Sequence, residues 1–105
     1  MVKYSKKVED LVQRVIDTVH PLRIILFGSA ARLEAGPQSD IDLLVIMPDG
    51  THRRQTSQKL YRSIRGLGVP FDVVVATPTD LEAYKDDISL IYRQALREGV
   101  EVYGR

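Results

Sequence analysis

The chain contains no cysteine, which excludes a disulfide framework and any thiolate metal site and fits a reducing compartment. It lacks a long apolar run, since the longest, Leu43 to Met47, is far too short to span a bilayer. The N-terminal MVKYSKKVEDLV has no apolar stretch of signal-peptide length. There is no Gly-x-x-x-x-Gly-Lys-Ser/Thr loop, which disfavours a switch or motor NTPase, and no Gly-x-Gly-x-x-Gly fingerprint of a dinucleotide enzyme. Charge of one sign is also missing: a formal net charge of +1 carries no global signature for nucleic acid or membrane. These absences predict a soluble, cytoplasmic domain with no membrane partner and no direct nucleic-acid binding.

What is present fits one globular domain over residues 1–105, with a hydrophobic content of 44% that is ordinary for a packed core. Ser5 is a candidate N-cap, followed at helical spacing by Val8, Leu11, Val12, Val15, Ile16 and Val19 up to Pro21. Arg23 to Phe27 is short, apolar and β-branched, the pattern of a buried strand. A helix-prone stretch, Ala30 to Ala35, leads into the loop Gly36-Pro37-Gln38-Ser39. A second strand is expected from Asp40 to Met47, closed by Pro48 and an Asp49-Gly50 turn, then a helix from Arg53 to about Leu67, broken by Gly66 and Gly68. Phe71 to Ala76 reads as a third strand. Thr79-Asp80-Leu81-Glu82 has the form of a capping box. A last helix from Ile88 to Glu98 and an edge strand from Val100 to Tyr103 complete an α/β layer fold with helices packed on a small sheet.

The informative residues are acidic. Residues two apart on a strand share a face, so Asp40 and Asp42 project together, about 6.6 Å apart along the backbone. Asp72 sits in its own apolar run between Phe71 and Val73. If the second and third strands adjoin, Asp72 comes within about 5 Å of one of that pair. Carboxylates that close repel, unless one takes a proton or a cation intervenes. A hard divalent ion, Mg2+ or Mn2+, removes the conflict, and two such ions can clamp the attacking and leaving oxygens of an in-line phosphoryl displacement. The bland alternative makes Asp40 turn punctuation and pairs the others with Arg23 or Arg32. It accounts poorly for Asp42 and Asp72, because each is bracketed by apolar residues and a buried carboxylate is costly when unpaired.

Separated from Asp40 by ten residues, Gly28-Ser29 stands where a strand gives way to a helix-prone turn. Glycine admits a ligand close to the backbone, and free N–H groups at a helix start attract phosphate. Alone, the pair is as well explained by a tight turn with an N-cap serine. Between Asp49 and Asp72 there is no acidic residue, while Arg53, Arg54, Lys59, Arg62 and Arg65 fall there. A solvated helix face is the plainer account, and a docking surface for an acidic partner or an RNA backbone the sharper one. His20 and His52 have no neighbour at ligand spacing and read as structural or exposed. Of the five tyrosines, Tyr92 and Tyr103 are interface candidates, with ordinary packing preferred.

Phe27-Gly28-Ser29-Ala30-Ala31-Arg32, with Ser39-Asp40-Ile41-Asp42-Leu43-Leu44-Val45 downstream, resembles the signature of the DNA polymerase β-type nucleotidyltransferase superfamily. More narrowly it is similar to the minimal nucleotidyltransferase (MNT) group, whose pattern is Gly-Ser-x-Ala-Arg-Gly followed by Ser-Asp-Ile-Asp-Leu. The resemblance runs from Arg23 to Ala76, with one departure: Leu33 replaces the glycine after the motif's arginine. It implies a polymerase β-like fold, a small mixed sheet with packed helices, and nucleotidyl transfer from ATP with two Mg2+. It implies that Gly28 and Ser29 contact the triphosphate, that Asp40 and Asp42 bridge both metals, and that Asp72 completes the metal site and activates the acceptor. For Arg32 it leaves two roles open, steadying the phosphates or pairing with Asp40.

Members of this group are often paired with a HEPN-domain toxin. There the nucleotidyltransferase resembles an antitoxin that transfers AMP to a tyrosine hydroxyl of its partner. Two other functions stay open under the resemblance: a binding antitoxin that occludes a HEPN ribonuclease, and a transferase acting on a small molecule or RNA.

Overall fold

The computed structural model describes residues 6–27, 41–68, 70–84 and 99–104. Helix α1, Lys6–Val19, buries Val8, Leu11, Val12 and Val15, the stripe its 3–4 spacing predicts. It ends where His20 turns to φ 49°, its N–H still donating to the Ile16 carbonyl at 3.0 Å, and Pro21 cannot continue the helix. Strand β1, Arg23–Phe27, is buried at every residue except Arg23. Strand β2, Ile41–Ile46, is buried apart from the half-buried Asp42. Helix α2, Arg53–Ile64, runs on into a short 3-10 turn, Arg65–Leu67. Strand β3, Phe71–Ala76, helix α3, Pro78–Tyr84, and strand β4, Val100–Gly104, follow.

The four strands form one mixed sheet in the order β3-β2-β1-β4. β1 pairs antiparallel with both β2 and β4, whereas β2 and β3 are parallel, joined through α2. Leu60 and Ile64 of α2 join α1 on one face, over Ile24, Leu26, Leu43, Val45, Val73 and Val75. The opposite face carries Ile25, Phe27, Leu44, Ile46 and Ala76, with Leu81 of α3 packed against them. The central strands are thus covered on both sides, which is why β1 and β2 read as unbroken apolar runs instead of alternating ones. The expected layered arrangement of helices on a small mixed sheet is the one observed.

Several local expectations are refined. The α2 segment is stopped by Gly68, which adopts φ 66°, and Gly66 lies within the 3-10 turn. His52 is structural: its Nδ1 caps α2 by accepting the Gln55 N–H at 3.2 Å. The capping box of α3 is Thr77 with Asp80, not Thr79 with Glu82. The Asp80 N–H donates to Thr77 Oγ1 at 3.2 Å and the Thr77 N–H to Asp80 Oδ2 at 3.0 Å. Pro78 decides between the two boxes, because its fixed φ suits the first helical position and places the cap at Thr77. The Ser5 cap, the Ala30–Ala35 stretch, the Ile88–Glu98 helix and Tyr92 lie outside the described residues. Among the described residues no helix is long and apolar enough to cross a membrane.

Candidate active site

The end of the sheet where β1 finishes and β2 and β3 begin brings Asp42 and Asp72 together. In the parallel ladder Asp42 stands directly opposite Asp72, and on its other side Asp42 is opposite Phe27, the last residue of β1. Opposed residues on neighbouring strands project from the same face, about 4.8 Å apart in the backbone. That face is the one bearing Leu44, Ile46 and Ala76. The adjacency on which the carboxylate argument depends is therefore present.

Burial is less than the apolar flanks suggested. Asp42 is half-buried and Asp72 is exposed, since each lies at or next to the first residue of its strand, where the covering layers thin out. Arg23 is not their counter-ion. It occupies the other end of β1, four residues from Phe27 and hence about 13 Å away, and pairs with Glu101 at 2.5 Å. Tyr103 packs against the core, as ordinary packing required. Gly28 and Ser29 follow Phe27 in the chain and Asp40 precedes Ile41. They and Arg32 lie outside the described residues.

One participant was missed in the sequence. The Tyr61 hydroxyl on α2 lies 2.6 Å from Asp72 Oδ1, and the Val73 N–H donates to the same hydroxyl at 3.2 Å. The Tyr61 ring stacks on Phe71 with centroids 5.0 Å apart and planes 27° from parallel. Burial, and then the bond to Asp72, push the phenol above its ordinary value of 10.0. The available signal was the helical period: with Leu60 and Ile64 facing the core, Tyr61 is turned about 100° from Leu60, toward the edge of the sheet. Tyr61 and Phe71 also line a groove of about 480 Å³ with Arg62, Arg65, Gly68 and Pro70. A second groove, of about 570 Å³, lies by the start of α2 and is bordered by His52, Arg53, Arg54 and Ser57.

Two carboxylates at opposed ladder positions offer hard oxygen donors, the ligand type that Mg2+ or Mn2+ takes, and so fit such an ion. Among the described residues no group of three His, Asp or Glu side chains lies together.

The family model of the nucleotidyltransferase domain matches residues 2–100. No curated protein matches the chain in sequence. Solved structures do. A Sulfolobus solfataricus protein described as a nucleotidyltransferase is 25% identical with a TM-score of 0.62, the match covering 95% of this chain and 79% of that one. Spectinomycin adenyltransferase of Enterococcus faecialis superposes with a TM-score of 0.66 at 17% identity, over 95% of this chain and 54% of its own. A complex of a tri-AMPylated Shewanella oneidensis HEPN toxin with its MNT antitoxin gives a TM-score of 0.50 at 22% identity, over 95% and 69%. At those lower identities the likeness is one of fold.

Proposed function

This chain belongs to the nucleotidyltransferase domain family, and from that premise we propose that it transfers AMP from ATP to a tyrosine hydroxyl of a HEPN-domain toxin, acting as the antitoxin. The observation that carries the reading is the Asp42–Asp72 register, which sets two carboxylates opposite each other where β2 and β3 begin. The AMPylated HEPN toxin bound to an MNT antitoxin supports the choice of acceptor. The spectinomycin enzyme, solved with ATP, supports the donor.

In this reading Asp40, Asp42 and Asp72 hold the divalent ions, Mg2+ or Mn2+. When bound, such ions neutralise the triphosphate and draw charge off the α-phosphorus. Asp72 takes the proton of the acceptor hydroxyl, whose oxygen then bonds to the α-phosphorus. The bond from that phosphorus to the bridging oxygen breaks, and pyrophosphate leaves. Gly28 and Ser29, which follow directly on the residue opposite Asp42, cradle the phosphates through backbone N–H groups. Arg32 steadies their charge.

The test is the intact mass of a HEPN-domain protein encoded beside this chain, or failing that of whole-extract proteins, after incubation with it, ATP and Mg2+. A gain of one or more AMP units, lost with Asp42→Asn, is expected. An unchanged mass, with the toxin silenced equally well by Asp42→Asn, would replace catalysis by occlusion.

A further inference from the structure

We infer that Tyr61 is a positioning residue for Asp72: its hydroxyl holds one carboxylate oxygen and so fixes the direction of the other. The inference rests on the proposed role of Asp72 and adds a residue to that site.

Hydrogen-bond direction settles what the hydroxyl does. The Val73 N–H can only donate, so at 3.2 Å it occupies a lone pair on the phenol oxygen. The single phenolic proton then serves Asp72 Oδ1, 2.6 Å away. A short bond from a neutral donor to a carboxylate is charge-assisted and stronger than a neutral one. Two neighbours restrict the phenol further. Phe71 stacks on its ring, and Leu60, the residue before it in α2, is fully buried and anchors that turn to the core.

Asp72 has need of such a hold. It is exposed near the start of β3, an edge strand of the sheet among the described residues, so burial does little to choose among the staggered wells of its χ1. With Oδ1 taken by Tyr61, Oδ2 is the oxygen left for an ion or for the acceptor's proton. An edge-sealing role alone would need only the bond from Val73, with no carboxylate on the other side of the hydroxyl.

The experiment compares Tyr61→Phe, which keeps the ring and removes the hydroxyl, with Asp72→Asn. Two quantities are read: steady-state AMP transfer to the HEPN-domain protein, and binding of Mn2+ alone, followed by electron paramagnetic resonance. Tyr61→Phe should lower kcat about 10- to 100-fold, with KM for ATP unchanged within about twofold, and should weaken Mn2+ binding about tenfold. Its thermal transition should stay cooperative, which shows the loss is not unfolding. Wild-type kcat and Mn2+ binding in Tyr61→Phe, with both lost in Asp72→Asn, would overturn the inference and leave the function standing. Wild-type transfer and Mn2+ binding in Asp72→Asn would overturn the inference together with the role given to Asp72, whereas no transfer by the parent chain would overturn the proposed function itself.

Discussion

The parallel strands β2 and β3 carry carboxylates at both of their ends, and the two ends use them differently. Beyond the C-terminal ends, Asp49 Oδ1 accepts the Thr79 N–H at 3.0 Å, and Asp80 Oδ2 accepts the Thr77 N–H at 3.0 Å with Arg53 Nη1 at 3.5 Å. These acids close turns, and their acceptor capacity is taken up by the chain that bends around them. At the N-terminal ends Asp42 and Asp72 face each other across the ladder, and Asp72 makes no ion pair among the described residues. Its partner is a neutral phenol. A carboxylate filled by backbone N–H groups explains itself structurally. Two carboxylates set opposite each other repel, and that repulsion opposes folding unless a cation or another partner offsets it.

The widest separation of the two ends is expected in activity. If Asp42 holds a divalent ion as proposed, Asp42→Asn should reduce AMP transfer on the order of 10³-fold, since several kcal/mol of charge stabilisation go with that carboxylate. Asp49→Asn should change it less than about twofold. Equal losses from the two substitutions would erase the distinction.

Stability should show the reverse. Thr77→Ala opens the reciprocal cap of α3 and should cost about 1 kcal/mol, or about 4 °C in Tm for a chain of this size. Transfer activity should be unaffected. A Tm equal to the parent's would mean the cap is redundant with the Arg53–Asp80 pair.

Much of this arrangement was legible in the sequence, for reasons that differ by element. Arg23–Phe27 and Phe71–Ala76 occur at the expected bounds because short β-branched runs between proline and glycine punctuation leave little choice. The pairing of β2 with β3 was not legible, since a parallel register is set by packing through α2 and not by neighbouring residues. The α3 cap was misplaced because Thr77–Asp80 and Thr79–Glu82 both have capping-box form and only the start of the helix decides. The burial assigned to Asp72 took its apolar neighbours as evidence and ignored its place near a strand end. Tyr61 went unnoticed for the same kind of reason: its role exists only once α2 has packed beside the edge of β3.

A smaller effect separates the ends at high pH. The phenol of Tyr61 is held above its ordinary value of 10.0 by burial and by its bond to Asp72. A raised pKa in the folded state contributes stability that is complete below the unfolded value and is lost as pH climbs through the folded one. Absorbance titration near the phenolate band should therefore contain a late component that disappears in Tyr61→Phe. In Asp72→Asn that component should move earlier, because the carboxylate no longer holds the proton.

The smallest expected effect is at low pH and belongs to Asp49. Its carboxyl is held below the ordinary 3.8, first by the backbone N–H of Thr79 and then by the Thr79 hydroxyl, against an upward push from desolvation, with a lesser pull from the Thr77 hydroxyl. The sign is opposite to that of Tyr61. A depressed carboxyl contributes stability that is present above the unfolded value and is lost as pH falls through the folded one. Asp49 is solvent-exposed, and water and salt screen its interactions, so the contribution is slight. In thermal melts across this range, the parent should exceed Asp49→Asn by a small margin above about pH 4. The two should converge below that. A gap that persists unchanged into acid would mean that Asp49 closes the turn by geometry alone, with its charge contributing nothing.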